Sequence, residues 1–207
     1  YIAETITSAL KQKTDFNYEI VIGEDCSQDR SRVIIEELQQ SCPDKIRVII
    51  NEKNLGLVIN VKSILDHCGG KYIALLGGDD LFSDENKLQK QFDFLENNPD
   101  FGLVHSDSRV LTEFTNGKSD IADSIDDSWN RKVKTGYIFR DLILSNFITA
   151  STAFFKRDLY VNCADYETWH KSGFKMEDYP LWLEISRQTK IGYLKDSLTT
   201  YRFREGS

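Results

Sequence analysis

The chain has 207 residues, 40% of them hydrophobic and 12% aromatic, and a formal net charge of −7. This length can bury a substantial core, and the negative balance, with no basic stripe interleaved with aromatics, excludes electrostatic binding to nucleic acid. No apolar run reaches the roughly 18 residues of a membrane span; Cys26, Cys42, Cys68 and Cys163 show neither a C-x-x-C pair nor a zinc spacing, so they read as free thiols in a reducing compartment.

Residues 2–10 place apolar side chains at helical spacing, which reads as an amphipathic helix rather than a signal peptide. Residues 19–23 (EIVIG) form a short β-rich run, followed by a helical pattern from Ser27 to about Gln40. Residues 46–50 (IRVII) predict a buried strand. Val58, Val61, Ile64, Leu65 and Cys68 then share one helical face that ends at Gly69-Gly70. Residues 72–76 (YIALL) predict a third strand. Ser83 or Asp84 can cap a helix to Asn97, with Leu88, Phe92 and Leu95 inward and Pro99 beyond its end.

Alternation of this kind predicts an α/β fold with a mainly parallel sheet and helical crossovers. After residue 100 the rhythm changes. Residues 101–111 predict a longer strand, and the polar stretch 112–135 a long loop, either a lid or a plain surface insertion. A short helix over 136–144, a strand over 150–156, a helix over 178–188 and one or two strands over 191–204 complete the pattern. No repeat, low-complexity tract or linker interrupts it, so one domain over 1–207 is expected. A parallel sheet ordinarily starts with a strand ahead of its first helix, whereas this sequence opens on the helix. Either that strand lies ahead of the sequence or the helix packs differently, and an altered sheet order is expected.

Three acidic clusters stand where ligands gather in such folds, at the carboxyl ends of strands. Glu24-Asp25 follows the 19–23 run; it suits hydrogen bonds to a base or ribose, or a helix N-cap made by Asp25 or Ser27. Gly77-Gly78-Asp79-Asp80 ends the 72–76 strand; its carboxylates suit Mg²⁺ or Mn²⁺, and the blander reading is a tight Gly/Asp turn. Glu177-Asp178 precedes Pro180 and a Trp-bearing helix; it suits a general base, or simple compensation of the helix dipole. Trp169 and Trp182 read as core or acceptor-stacking residues, with core favoured for Trp182. His67, His105 and His170 are too scattered for a zinc site.

In order and spacing these segments resemble family 2 glycosyltransferases of the GT-A fold over nearly the whole chain. YIAETITSALKQ is similar to that family's first helix. EIVIGEDCSQDRS resembles its strand and Asp-Asp-Gly-Ser-x-Asp element, with Glu24 and Cys26 as variants. NEKNLGLVINVKSIL resembles its Asn-x-Gly helix, keeping Asn60 but carrying Ile59 where Arg is common. KYIALLGGDDLF resembles the branch with a Glu-Gly-Asp-Asp metal motif, with Gly77 in the acidic first position. MEDYPLWLEIS resembles the Glu-Asp motif whose Asp is the base, and YRFREGS the closing Tyr-Arg-x-His-x-x-Ser element, with Arg204 in place of His.

The resemblance implies inverting transfer of a sugar from a nucleoside diphosphate sugar, with UDP the usual carrier, to a carbohydrate or lipid-linked acceptor hydroxyl. Residues 1–111 would form the nucleotide part and 112–207 the acceptor and base part. Glu24 and Asp25 would hold the base and ribose, Asp79 would bind ribose or metal, Arg204 could bind phosphate, and Asn60 and Gly78 would belong to the same donor-binding set. Asp79 and Asp80 would hold Mg²⁺ or Mn²⁺, Asp178 would be the base, and residues 146–151 (NFITAS) would line the acceptor side or pack beneath the Glu-Asp helix. It also implies bacterial surface-polysaccharide synthesis in the cytoplasm, with peripheral attachment to the inner face of the membrane. The missing Gln-x-x-Arg-Trp motif favours single additions. The competing reading is a non-catalytic nucleotide-sugar-binding or scaffold domain of the same fold. A nucleotidyltransferase is disfavoured because no Gly-rich phosphate loop with a nearby Lys or Arg is present.

Overall fold

In the computed structural model, which describes residues 1–123 and 134–206, the apolar runs pair into two sheets rather than one. The first element is helix α1 (Ile2–Leu10), followed by β1 (Ile20–Glu24), α2 (Ser31–Ser41), β2 (Ile46–Ile50) and α3 (Leu57–His67). Next come β3 (Tyr72–Ala74), β4 (Leu81–Phe82), α4 (Lys87–Asn97), β5 (Phe101–Glu113) and β6 (Ser119–Asp123). Helix α5 (Phe139–Leu144), a 3₁₀ turn (Ala150–Thr152), β7 (Phe154–Lys156), α6 (Arg157–Cys163), α7 (Tyr166–Lys171), α8 (Tyr179–Gln188) and β8 (Lys190–Arg204) complete the order.

Strands β1 and β2 form a parallel pair; the larger sheet runs β3-β7-β5-β8-β4, with β6 also on β5. Pairing there is more mixed than the mainly parallel expectation. Only β5–β8 is parallel, while β3–β7, β5–β7, β4–β8 and β5–β6 are antiparallel. The strand-helix rhythm that implies parallel pairing stops near residue 100, and β5 and β6 are joined by a tight turn that permits only the antiparallel arrangement. Part of the 112–135 stretch expected as loop is therefore β5 and β6 in a hairpin, and residues 124–133 lie outside the described residues. Two helices, α6 and α7, occupy 157–171, where the periodicity had suggested nothing.

The larger sheet carries a hydrophobic cluster on each face, Leu103 and Phe155 facing one and Val104 and Phe154 the other. Trp182 and Leu181 of α8 are fully buried, and the Trp182 ring meets Phe155 of β7 edge-on at 5.6 Å between centroids. The core reading of Trp182 holds, and Trp169 packs beside Tyr166 at the edge of the same cluster. Helix α3 lies close on β1 at Gly23, where a Cβ would come within 2.4 Å of the Asn60 side chain. Helix α1 joins the two sheets. Ile6 packs with Ile35 and Ile46 on the β1–β2 side, and Ala9 with Phe82 and Leu88 on the other.

One core residue is chemically out of place. Lys87 is fully buried, its Nζ 2.6 Å from Gln91 Oε1 and 4.3 Å from the centre of the Phe82 ring. Gln91 in turn donates to the Thr152 carbonyl at 2.8 Å. Burial pushes the ammonium down from 10.5 to about 7. Between those values the unfolded chain holds a proton that the folded chain lacks, so this group makes stability rise with pH by about 1.4 kcal/mol per unit. Lys87→Met is expected to flatten that rise, which urea unfolding of both proteins between about pH 7 and 10 measures.

Candidate active site

The acidic turn after β3 is placed by β8. In the antiparallel β4–β8 ladder Leu81 pairs with Thr200 and Phe82 with Thr199, so the next positions, Asp80 and Tyr201, face each other across the strands. The Arg202 backbone N–H then donates to Asp80 Oδ1 at 3.0 Å, and its Nε to the Asp79 carbonyl at 2.9 Å. The rest of the guanidinium reaches Glu113 of β5 and Glu4 of α1, at 2.5 and 2.8 Å, and stacks over the Tyr1 ring. Thr5 of α1 donates to the carbonyls of Gly78 and Asp80 at 3.1 and 2.9 Å. A single buried arginine thus fixes the Asp-Asp turn to three elements.

Within that turn the two carboxylates converge. A Cβ built on Gly77 would stand 3.2 Å from Asp80 Oδ2 and 3.4 Å from Asp79 Oδ1. Glycine therefore leaves a gap floored by backbone and flanked by two anionic oxygens. Arg204 Nη2 pairs with the other Asp79 oxygen at 3.2 Å. Asp80 is buried, and desolvation raises its pKa against the pull of the Arg202 N–H. No group of three or more His, Cys, Asp or Glu side chains suited to a metal ion exists among the described residues.

Asp178 caps α8, its Oδ1 accepting from the Tyr179 N–H at 2.6 Å. The cap reading and the site reading describe the same residue, since Asp178 also lines the main cavity. Tyr166 holds the approach through its hydroxyl, which donates to the Glu177 carbonyl at 2.8 Å. Burial raises the pKa of Asp178, tempered by the Tyr179 N–H, and raises that of Glu177 as well. Tyr201 lines the same cavity as Asp79, Asp80 and Asp178. Its hydroxyl is pushed up first by burial and then by the charges of Asp80, Asp79 and Asp178.

A cavity of about 1580 Å³ joins these groups, with Glu24, Asn60, Gly78, Asp79, Asp80, Asp178 and Arg204 in its wall. Asn146 to Ala150 line it too, and the buried Ser151 lies beside Asp80. Asp25, expected to hold base or ribose, is absent from that wall. Its carboxylate accepts from the Leu55 and Gly56 N–H groups at 2.8 and 2.9 Å and from the Asn51 amide at 2.9 Å. It holds the 51–56 loop, where Gly56 at φ +78° leads into α3. The N-cap reading also falls elsewhere. Helix α2 starts at Ser31 after Arg30, and the Ser27 N–H is taken by Glu24 Oε1 at 2.7 Å. Glu24 Oε2 is buried with no hydrogen-bond partner among the described residues. Tyr201 and Arg202 escaped the sequence reading; the only signal was their place three and two residues ahead of Arg204 in the closing element.

Comparison with known proteins gives the site its context. The model of the family described as glycosyl transferase family 2 matches residues 1–162, and the chain belongs to that family. An uncharacterized protein of Mycobacterium tuberculosis is 31% identical over 157 residues, which are 76% of this chain and 43% of that protein. The chain thus spans less than half the length of the first curated relatives it matches. The fold matches Staphylococcus aureus TarS 1-349 in complex with UDP (TM-score 0.65, 19% identity, 98% of this chain and 56% of that one). It also matches the mannosyltransferase PcManGT of Pyrobaculum calidifontis in complex with GDP-Man and Mn²⁺ (TM-score 0.67, 16% identity, 97% and 52%). The expected α/β GT-A fold is therefore the fold observed, here with helices around a curled sheet.

Arg202→Met removes the buried tie between β8, β5, α1 and the Asp-Asp turn. Breaking such a pair leaves Glu113 and the Asp79 carbonyl without their partner, so a loss of about 2–4 kcal/mol in urea unfolding is expected, discounted for the exposure of Glu4.

Proposed function

We propose that this cavity moves a sugar from a nucleoside diphosphate sugar to an acceptor hydroxyl, with inversion at the anomeric carbon. The supporting observation is that Asp79, Asp80 and Asp178 line one open cavity together with Tyr201. Asp178 is the base. Burial makes it a stronger proton acceptor than an ordinary aspartate, and the cavity wall puts it within reach of an acceptor entering past Asn146 and Thr149. The acceptor oxygen loses its proton to Asp178 as it bonds to the anomeric carbon, and the bond to the diphosphate breaks on the opposite side. One displacement with one base inverts the centre and needs no nucleophile from the enzyme.

Asp79 Oδ1 and Asp80 Oδ2, both beside the open position over Gly77, would hold a Mg²⁺ or Mn²⁺ ion, oxygen ligands being what such hard cations take. Such an ion would offset the charge on the departing diphosphate. Arg204, already paired with Asp79, adds a fixed cation beside the same position, and Gly78 leaves the backbone accessible there. Glu24, with its unpartnered Oε2, and Asn60 face the nucleoside end, while Asp25 supports that end through the 51–56 loop. Uridine is the base we propose, from the family resemblance. The acceptor we propose is a saccharide or lipid-linked saccharide of a surface polymer, elongated by single additions on the cytoplasmic side of a membrane. Among the described residues no helix is long and apolar enough to cross a membrane, so attachment there would be peripheral.

Asp178→Asn should lower the transfer rate about 10²–10⁴-fold and leave donor binding by calorimetry intact. Wild-type kcat/KM should fall on the acid side through a pKa above the usual aspartate value of 3.8, because the base must be charged and burial raises its pKa. Unchanged turnover in the Asn variant would remove Asp178 from the mechanism. Asp80→Ala should erase the difference between UDP titrations run with and without Mn²⁺; identical wild-type titrations would refute the metal assignment. Donor binding without either transfer or donor hydrolysis by the wild-type chain would favour the binding-module reading, which the split between β1 and β3 supports.

A further inference from the structure

Helix α8 opens on the proposed base and carries a tryptophan one turn later. Asp178 caps the helix in a helical conformation of its own (φ −94°, ψ −48°), and the Trp182 backbone N–H donates to its carbonyl at 2.9 Å. The two side chains are therefore i, i+4 neighbours, about 5–6 Å apart at Cβ. Side chains on a helix lean toward its amino end, so the Trp182 ring covers the turn that holds Asp178. The ring is fully buried, edge-on to Phe155, in one cluster with Leu181 and Ile185.

The indole N–H is the anomaly in that cluster. It makes no hydrogen bond of ordinary length and angle with any described residue. An unpaired donor among apolar side chains is a cost that a phenylalanine ring would not carry. The polar group beside it is the Asp178 carboxyl. Burial raises the pKa of that carboxyl, and the Tyr179 N–H and the Trp182 indole each draw it back down. Asp178 is thus approached from two sides. Its Oδ1 accepts from the Tyr179 N–H at 2.6 Å. The indole stands on the core side: among the described residues that line the cavity, Asp178 is present and Trp182 is not.

We propose that Trp182 is a positioning residue for the base, its indole N–H closing on the Asp178 carboxylate from the core side and turning that carboxylate toward the acceptor hydroxyl. This inference rests on Asp178 being the base. A donor with its rotamer locked by packing fixes a reacting group more closely than a mobile one. A contact just short of a full hydrogen bond also suits a site without substrate, since such bonds tighten in the reacting complex. The contact has a second effect. Burial favours the neutral acid, which cannot take the acceptor proton, and a donor at the carboxylate favours the anion. Glu177, Tyr166 of α7 and Tyr201 of β8 are the described titratable groups whose pKa values respond to the Asp178 charge, and substitution at position 182 leaves all three in place.

The test replaces Trp182 with benzothienylalanine, which keeps the fused-ring shape and puts sulfur where the N–H was, with Trp182→Phe made beside it. Measured in the full chain are the pH dependence of transfer, the Asp178 carboxyl titrated by NMR, and the Trp182 indole N–H resonance. In the sulfur analogue kcat should fall about ten-fold with the donor KM unchanged. Its acid limb and its Asp178 titration should both move up by about one pH unit. In the wild-type chain the indole resonance should follow the Asp178 titration, and Asp178→Asn should abolish that movement. In the Asp178→Asn background the analogue should change the residual rate by less than about two-fold. An unmoved Asp178 titration in the analogue would overturn the proposal, because a tryptophan that serves only the core leaves it where it was. So would an unchanged kcat, an equal further loss in the Asp178→Asn background, or a loss in Trp182→Phe that the analogue does not share. Full turnover in Asp178→Asn sinks the base assignment and this inference together; full turnover in the analogue alone sinks only this inference.

Discussion

The candidate site depends on a ladder of two residue pairs. β4 is only Leu81 and Phe82, yet its pairing with Thr200 and Thr199 sets where the Asp79-Asp80 turn lies against the last strand. Side-chain period in a strand is two, so a slip of one residue would turn Tyr201 away and bring Arg202 across from Asp80. Arg202 guards against that slip. Its backbone N–H holds Asp80, its Nε holds the Asp79 carbonyl, and its remaining nitrogens hold Glu113 and Glu4. The parallel β5–β8 pairing beneath it carries irregularities at 106–108, so the outer part of the pairing has its own register from Ser108 onward. These breaks let β8 follow β5 in its first half and still deliver residues 199–202 to β4.

The electrostatics follow from that placement. Asp80, Glu177 and Asp178 are each pushed above their ordinary range by burial. For a carboxyl with a raised folded pKa the unfolded chain ionises first. The penalty is absent below the ordinary values of 3.8 and 4.5 and grows as pH rises toward the raised ones, where the folded chain ionises too. The site is thus under like-charge and desolvation stress at neutral pH, which a cation held there as proposed would relieve. By linkage, such a cation would lower those pKa values and bind more strongly as pH rises. An arrangement kept only for folding would pair these carboxylates more fully; the Arg204 contact to Asp79 and the Arg202 N–H on Asp80 each engage one oxygen and leave the other directed over Gly77.

How much of this was legible in the sequence varied with the range of the interaction. The positions of β1, β2, β3, α3 and α4 follow local periodicity and came out within a few residues, because each buries one face against a neighbouring layer. The three acidic clusters were legible as strand-end and helix-start features, and two of them meet as read. Asp25 was not, because nothing local shows that a loop 26 to 31 residues further on will present it with an amide and two backbone N–H groups. The helices at 157–171 were missed for a different reason. Each is at most seven residues long, too short for a helical period to register, and each is held by tertiary contacts such as Tyr160 and Tyr166 in the main core. The antiparallel pairings were equally invisible, since β7 and β4 are three and two residues long and are defined by their partners.

Asp25 and the gap between the sheets belong to one argument. The β1–β2 pair has no ladder to the larger sheet, so its position relative to Asp79 and Asp80 rests on α1, α3 and the loops. Asp25 tightens the loop into α3 by taking both N–H groups before its first turn, and Asn51 ties that loop to Asn60 at 3.0 Å. Asn60 in turn donates to the Gly23 carbonyl at 3.3 Å, one of the groups facing the gap. A chain of hydrogen bonds therefore runs from the β1 edge through α3 to the loop beneath Glu24. The Glu24 end of the cavity and the open edge of β1 are thus mechanically the same feature. Geometry at Glu24 is set by how the edge of β1 is satisfied, and the acidic end at Asp79 and Asp80 is held independently by Arg202.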